Sequence, residues 1–287
     1  MVFGFLNVYK PRGITSHDVV SVLRKVTKVR QIGHSGTLDP FAEGVLAIAI
    51  GKATRLIEYL NDDKEYVAEV SFGRATDTYD IDGKTVFESD KRITKKNLEN
   101  VIEHYRGEIS QLPPIYSAIK VNGKKLYEYA RKGEDVKIEP RKVTIFKLEI
   151  KDFNEEKQIA NILIKCSKGT YIRSLAHDIG KELECGAYLS RLIRTQAGKL
   201  RIENSTELEK LNSINEVTTR LLNPIELLDL QENEITEEEQ KKVLVGNSIK
   251  NNNEFKNDEI IILTYKKQLS AIAQVCDDEI KVKKGFN

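Results

Sequence analysis

Apolar positions follow two rhythms along the chain. "FGFLNVYK" (residues 3–10) reads as a strand. The next stretch, "ITSHDVVSVLRKVTK", sets Val19, Val22, Leu23 and Val26 at helical spacing behind a cap at Thr15 or Ser16. "VLAIAI" (45–50) is continuously apolar, as a buried strand is, and "ATRLIEYL" (53–60) predicts a short helix. "KEYVAEVSFG" alternates like a half-exposed strand, and Leu98, Val101, Ile102 and Tyr105 mark a helix that stops at Gly107. "KVTIFKLEIKDF" and "KQIANILIKC", parted by "NEE", predict an antiparallel hairpin, and "TYIRSLAHDIGKEL" returns to the helical period.

Adjacent hairpins mixed with helices predict an α+β fold, with a mixed, largely antiparallel sheet flanked by helices. Beyond Leu230 three short β-rich runs, "EIIILTY", "LSAIAQV" and "EIKVKKG", have the spacing of a small barrel. The expected organisation is therefore a domain over 1–229 and a small β-rich one over 230–287. An insertion at about 105–150 includes "KVNGKKLYEYARKGEDVKIEPRK" (120–142), which is basic and interleaved with tyrosines. It reads either as a mobile nucleic-acid-facing segment or as a solvated helix.

Composition narrows the class. At 287 residues, with 40% hydrophobic and 31% charged, the chain resembles a soluble globular protein. No apolar run approaches the roughly 18 residues of a membrane helix. "MVFGFLNVYKPRG" lacks the basic, apolar and small-residue regions of a secretory leader, so the cytoplasm is the expected compartment. Cys166, Cys185 and Cys276 are odd in number and widely spaced, which predicts reduced thiols. The net charge of +2 conceals a local imbalance. Residues 1–60 carry 8 basic and 4 acidic side chains, 120–147 carry 9 and 4, and 165–201 carry 8 and 3, whereas 203–240 carry 2 and 11. That asymmetry suits a face for a polyanion.

Several chemistries fail on spacing. Gly51-Lys52 is followed by Ala53, so no phosphate loop of the Walker type is present, and GxGxxG is absent. "TYDIDG" resembles the start of a calcium loop, but Thr78 stands first and Ser89 falls where the bidentate glutamate belongs, leaving a polar turn. His17, His34, His104 and His177 have neither HxxxH spacing nor thiol partners, so no metal is expected. Ser35 in "GHSG" is one residue off a nucleophile elbow.

Asp39, in "GHSGTLDPFAEGVLAIAIG", is then the chemical candidate. An isolated Asp-Pro reads first as a turn. Here Pro40 biases Asp39 to extended geometry, Gly33 and Gly36 allow close backbone approach, and a strand follows directly. A carboxylate so placed is positioned, as a catalytic group must be.

"GHSGTLDPFAEGVLAIAIGKAT" resembles the aspartate motif of the TruB-type tRNA pseudouridine synthases. "YKPRGITSH", "KEYVAEVSFGRATDTYDIDG", "PPIYSAIKVNGKKLYEYARKG", "CSKGTYIRSLAHDIGKEL" and "CGAYLSRLIRTQAG" match in order, over roughly residues 1–200. The resemblance implies a bacterial tRNA pseudouridine-55 synthase that isomerises a flipped-out T-loop uridine without a cofactor. It makes Asp39 the nucleophile, Tyr66 the stacking partner of the base and Arg173 the partner of Asp39. His34 would occupy the space left by the flipped nucleotide, and Tyr171 and Leu192 would wall the pocket. The basic segments, Lys10 and Lys120 among them, would meet the phosphates of the tRNA T stem-loop. The family likeness further implies a monomer and, weakly, a PUA-like C-terminal domain. A noncatalytic tRNA-binding or tRNA-folding protein on the same fold is the rival expectation.

Overall fold

The computed structural model describes residues 2–61, 63–252 and 255–286. The first part of the chain runs β1 (Gly4–Lys10), α1 (Ser16–Thr27), β2 (Ile32–Ser35), β3 (Glu43–Ile50), β4 (Lys64–Phe72), β5 (Arg74–Thr76), β6 (Thr85–Glu88), α2 (Lys95–Ile102) and β7 (Gly107–Gln111). There follow β8 (Lys120–Val121), β9 (Lys124–Lys125), α3 (Leu126–Lys132), β10 (Arg141–Asn154), β11 (Ile159–Cys166), α4 (Ile172–Glu182), β12 (Ala187–Ala197), β13 (Leu200–Arg201) and β14 (Thr206–Glu207).

One sheet joins ten of these strands in the order β14-β1-β3-β12-β4-β11-β10-β7, with β2 beside β3 and β13 beside β12, while β5 pairs with β6 and β8 with β9 apart from it. Its pairings are antiparallel apart from β1 with β14 and β12 with β3. β10 and β11 form the expected hairpin, paired from Ile145 opposite Cys166 to Asn154 opposite Ile159, with register shifts between Ile145 and Lys147 and between Ile150 and Asp152. α1 starts at a full capping box: the Thr15 hydroxyl accepts from the Asp18 amide while the Asp18 carboxylate accepts from the Thr15 amide. The short helix expected over 53–60 is a 3-10 helix over Gly51–Tyr59, with Leu60 extended just beyond it.

The unbroken apolar run of β3 is explained by burial on both faces. Leu46, Ile48 and Ile50 pack with Val19, Val20 and Leu23 of α1. Val45, Ala47 and Ala49 face the other way, onto Ile262, Leu269, Ile272 and Phe286 from the C-terminal part. α2 and α4 cover the neighbouring strands, with Leu98, Ile102, Leu175 and Ile179 against Ala68, Ile162 and Leu189.

The C-terminal part adds α5 (Ile214–Thr218), α6 (Pro224–Leu227), β15 (Gln231–Glu234), α7 (Glu237–Leu244), β16 (Ile249–Lys250), β17 (Ile260–Tyr265), β18 (Gln268–Cys276) and β19 (Glu279–Gly285). The expected barrel is, among the described residues, an open sheet in the order β15-β17-β18-β19-β16. Its strands alternate between two cores: Ile261, Leu263, Ala271 and Ala273 meet Val243 of α7, while Ile262 and Ile272 join the cluster beneath β3. Part of the basic insertion, residues 120–132, is likewise built of regular elements. β8 and β9 make a two-residue-strand hairpin, and fully buried Leu126 docks α3, its amide donating to Ile119 O at 2.8 Å.

Candidate active site

Asp39 lies in the connection from β2 to β3, which is pinned from both ends. The Ser16 hydroxyl donates to Leu38 O at 3.0 Å and accepts from the Leu38 amide at 2.9 Å, and the Gly13 amide donates to Pro40 O at 2.7 Å. Leu38 and Phe41 on either side of Asp39 and Pro40 are buried in the α2–α4 core. Their burial leaves the intervening carboxylate pointing outward, with 36% of the Asp39 side chain exposed. Gly36 turns the chain into this connection at φ +68°, a left-handed conformation that side-chain-bearing residues rarely adopt.

α4 brings Arg173 to the same place. Its Nε lies 2.9 Å from Asp39 Oδ2 but out of hydrogen-bond alignment, so the attraction is one of charge. Its Nη1 donates to Thr78 O at 3.0 Å and stands 3.2 Å from Asp80 Oδ2, and its Nη2 donates to Tyr116 O at 2.9 Å. The Arg173 and Asp80 side chains are only 5% and 8% exposed, so this pair is buried while Asp39 stays open on one side. Burial is the largest influence on Asp80 and raises its pKa; the Thr78 hydroxyl and then Arg173 act against it. An uncompensated guanidinium here would be costly, and two carboxylates with two carbonyls compensate it.

Asp39 and Arg173 line a cavity of about 280 Å³ whose walls also include Tyr66, Ser117, Tyr171, Leu192 and Arg194. Tyr66 is 6% exposed, and burial pushes its phenol up to about 12, with nearby Arg194 pulling the other way. Tyr171 precedes α4; its amide and carbonyl are held by the Gln111 side chain at 2.8 and 3.0 Å, and burial raises its phenol. Four charged side chains line the cavity: the Asp39 carboxylate and the cations Lys64, Arg173 and Arg194.

The structure thus brings Asp39, Tyr66, Arg173, Tyr171 and Leu192 together around one space. It places the other three site residues elsewhere. Lys10 is fully buried, not on the surface: its ammonium donates to Pro11 O and Ile14 O at 2.9 and 2.7 Å, bracing the turn next to Asp39. Burial pulls Lys10 down to about 8, with Asp39 opposing that shift. His34 sits on β2 opposite Ile48 and is not among the residues that line the cavity; burial lowers its pKa and its Nδ1 lacks a hydrogen-bond partner among the described residues. Lys120 is exposed on the insertion, two residues beyond the cavity-lining Ala118.

Sequence reasoning missed Asp80, Lys64 and Arg194. "TYDIDG" was legible as a turn, and it is one, but nothing local showed that its aspartate faces Arg173. Lys64 and Arg194 were within reach: each stands two residues from a named site residue, Tyr66 on β4 and Leu192 on β12, and so shares its face.

Comparison with known proteins gives the family of the chain. Residues 24–172 match the family model for the TruB family pseudouridylate synthase N-terminal domain, and residues 173–228 match that for the tRNA pseudouridylate synthase B C-terminal domain. A tRNA pseudouridine synthase B of Caldanaerobacter subterraneus is 50% identical over 212 residues, 73% of this chain and 74% of its own. One from Carboxydothermus hydrogenoformans is 40% identical over 289 residues, covering 99% of this chain and 98% of its own. Among solved structures, an H/ACA RNP bound to a substrate RNA containing 2'-deoxyuridine superposes with a TM-score of 0.75 at 23% identity, covering 99% of this chain and 85% of that one. A Cbf5-Nop10-Gar1 complex gives 0.74 at 24% identity, covering 100% and 85%. Those two likenesses establish the pseudouridine-synthase fold, with its mixed sheet, helices and β-rich C-terminal part. The family-model match over more than half the chain and the full-length relative establish more: this chain belongs to the TruB family of tRNA pseudouridylate synthases, enzymes of the isomerase class.

Proposed function

We propose that the chain converts uridine-55 in the T loop of tRNA to pseudouridine, with Asp39 as the catalytic carboxylate acting on a flipped-out nucleotide. The observation that carries this reading is the half-open Asp39 carboxylate, 2.9 Å from buried Arg173, at a cavity walled by Tyr66. The reaction breaks N1–C1′, turns the uracil and forms C5–C1′; C5 gives up a proton, N1 gains one, and neither water nor an electron is consumed. Glycoside hydrolases commonly need a second carboxylate to activate water or protonate the leaving group. Here the uracil carbonyls spread the negative charge, and the cavity has to retain the base and keep water out. One carboxylate beside a fixed cation therefore suffices. Attack of Asp39 on C1′, addition to uracil C6 and removal of a ribose proton all require that same carboxylate.

Extruding the base costs a few kcal/mol. Stacking on Tyr66 returns about 1 to 3 kcal/mol of it. The exposed lysines and arginines of the insertion, several of them stacked on tyrosines, would meet RNA phosphates. In this reading the enzyme works as a cytoplasmic monomer, residues 1–229 carry the catalysis, and 230–287 act as a small PUA-like domain. The test is Asp39→Asn. Tritium release from C5-labelled uridine in tRNA should vanish, tRNA affinity should stay near wild type, and positional mapping of the wild-type product should find pseudouridine at 55. Turnover by Asp39→Asn, or free uracil as the wild-type product, would refute the reading.

A further inference from the structure

Arg194 is fully buried, yet among the described residues no carboxylate lies within ion-pair distance of it. Two of its three nitrogens are accounted for: Nε donates to Val45 O at 2.7 Å and Nη2 to Gly36 O at 2.9 Å. Both carbonyls flank the Asp39 connection. The third nitrogen, Nη1, is buried and, among the described residues, makes no hydrogen bond of good geometry. A buried donor left unused at a reactive cavity calls for an explanation, because leaving it so is costly.

Strand register indicates what stands beside it. Arg194 of β12 is directly opposite Tyr66 of β4, so the two side chains leave the same face of the sheet as near neighbours. Of the charges around the Tyr66 phenol, that of Arg194 bears on it most strongly. The β12 backbone at Arg194 is itself held in place, for a Cβ on Gly44 would come within 2.3 Å of Arg194 O. Lys64 Nζ and Arg194 Nη1 both border Gly36, each 3.4 Å from where a Cβ there would sit.

We propose that Arg194 is a positioning residue for the isomerisation: locked by the carbonyls of Gly36 and Val45, it turns its remaining N–H group to the Tyr66 phenol oxygen and fixes that hydroxyl relative to Asp39. With its oxygen engaged from behind, the phenol directs its own O–H into the cavity. One guanidinium thereby ties the strand carrying Tyr66 to the segment carrying Asp39. This rests on the reading that Tyr66 meets the target base.

Two measurements test it. The first is NMR of protein labelled with 13Cζ-tyrosine, in which the Tyr66 resonance is identified by its loss in Tyr66→Phe. It should shift in Arg194→Lys, which keeps the charge but not the planar fork, while the other tyrosine signals stay in place. The second is a double-mutant cycle on single-turnover pseudouridine formation at saturating tRNA. Arg194→Met should slow the reaction by roughly 10- to 100-fold, the loss of one charge-assisted hydrogen bond, with tRNA affinity unchanged. In a Tyr66→Phe background the same change should alter the residual rate less than about threefold. Arg194→Lys should recover part of the loss. Equal losses in both backgrounds, an unshifted Tyr66 signal, or a wild-type rate in Arg194→Met would each overturn the proposal. Should Tyr66→Phe leave no measurable rate, or Arg194→Met fail to fold, the NMR shift in Arg194→Lys decides. That shift needs no turnover, so a wild-type protein that makes no pseudouridine would refute the proposed function and leave the Arg194–Tyr66 contact separately tested.

Discussion

Replacing Asp80 with asparagine removes a charge from behind Arg173 with little change of shape. Asp80 Oδ2 stands 3.2 Å from Arg173 Nη1, and the two side chains are 8% and 5% exposed. At an effective dielectric of about 20 that separation corresponds to roughly 5 kcal/mol of attraction. Burying the two ions costs several kcal/mol each, so the terms nearly cancel. The raised pKa of Asp80 agrees, since burial outweighs Arg173 there. Arg173 would keep Asp39 and its hydrogen bonds to Thr78 O and Tyr116 O, so it would not become an unpaired buried charge. Asp80→Asn is therefore expected to change stability by no more than about 1 kcal/mol, a Tm shift of about 2 to 4 °C for a chain of this size. The chemical step should suffer more. Arg173 would draw toward its one remaining carboxylate, and a displacement of about 1 Å at a reacting group can cost as much as 100-fold. Single-turnover tritium release at saturating tRNA should fall about 10- to 100-fold, with tRNA affinity unchanged. A rate within twofold of wild type would refute the idea that Asp80 aims Arg173. A rate loss accompanied by a Tm drop beyond about 8 °C would instead make Asp80 a stability residue.

Gly44→Ala should cost about 3 kcal/mol or more, because φ is +108° and the added Cβ would meet Arg194 backbone atoms at 2.3 and 2.9 Å; thermal denaturation reads it directly. Burial pushes Asp178 up to about 6 from an ordinary 3.8, so between those values the folded state keeps a proton that the unfolded chain has released. The stability this contributes is fully present below about 3.8 and lost as the pH rises through about 6. Asp178→Asn should accordingly stabilise the protein by about 1 kcal/mol near pH 7.5, a figure discounted for the solvent that reaches this half-buried group, and hardly at all near pH 4, as urea titrations at the two values would show. If Lys120 touches an RNA phosphate, Lys120→Ala should reduce the slope of log affinity for tRNA against log salt by about 1 and leave the single-turnover rate alone; an unchanged slope would take Lys120 out of the interface.

What the sequence determined by itself was local and periodic. The cap at Thr15 or Ser16, most of the apolar face of α1, the alternation of β4 and the hairpin of β10 and β11 each depend on residues a few positions apart, and these were legible; Val22, expected on the apolar face, is instead exposed, and Val20 is buried. So was the Asp39 turn, where Gly36, Pro40 and the strand beginning at Glu43 constrain the backbone from within one short segment. The aligned motifs also put Asp39, Tyr66 and Arg173 in one family pattern, though not at any distance from one another. Tertiary structure alone decided the rest. Asp80 meets Arg173 because the turn after β5 packs against β12 and α4, and no periodicity encodes that contact. Lys10 reads as a surface cation beside a proline and is buried instead, because the turn it braces folds its carbonyls inward around the ammonium. The 3-10 helix over Gly51–Tyr59 fits a space between the two sheets, where packing outweighs helical propensity. Arg194 shows the division most plainly: its face could be counted from Leu192, but the carbonyls that take two of its nitrogens come from a strand and a turn far away in the chain. Local energetics shape each element, and long-range pairing decides which polar groups are left free to act.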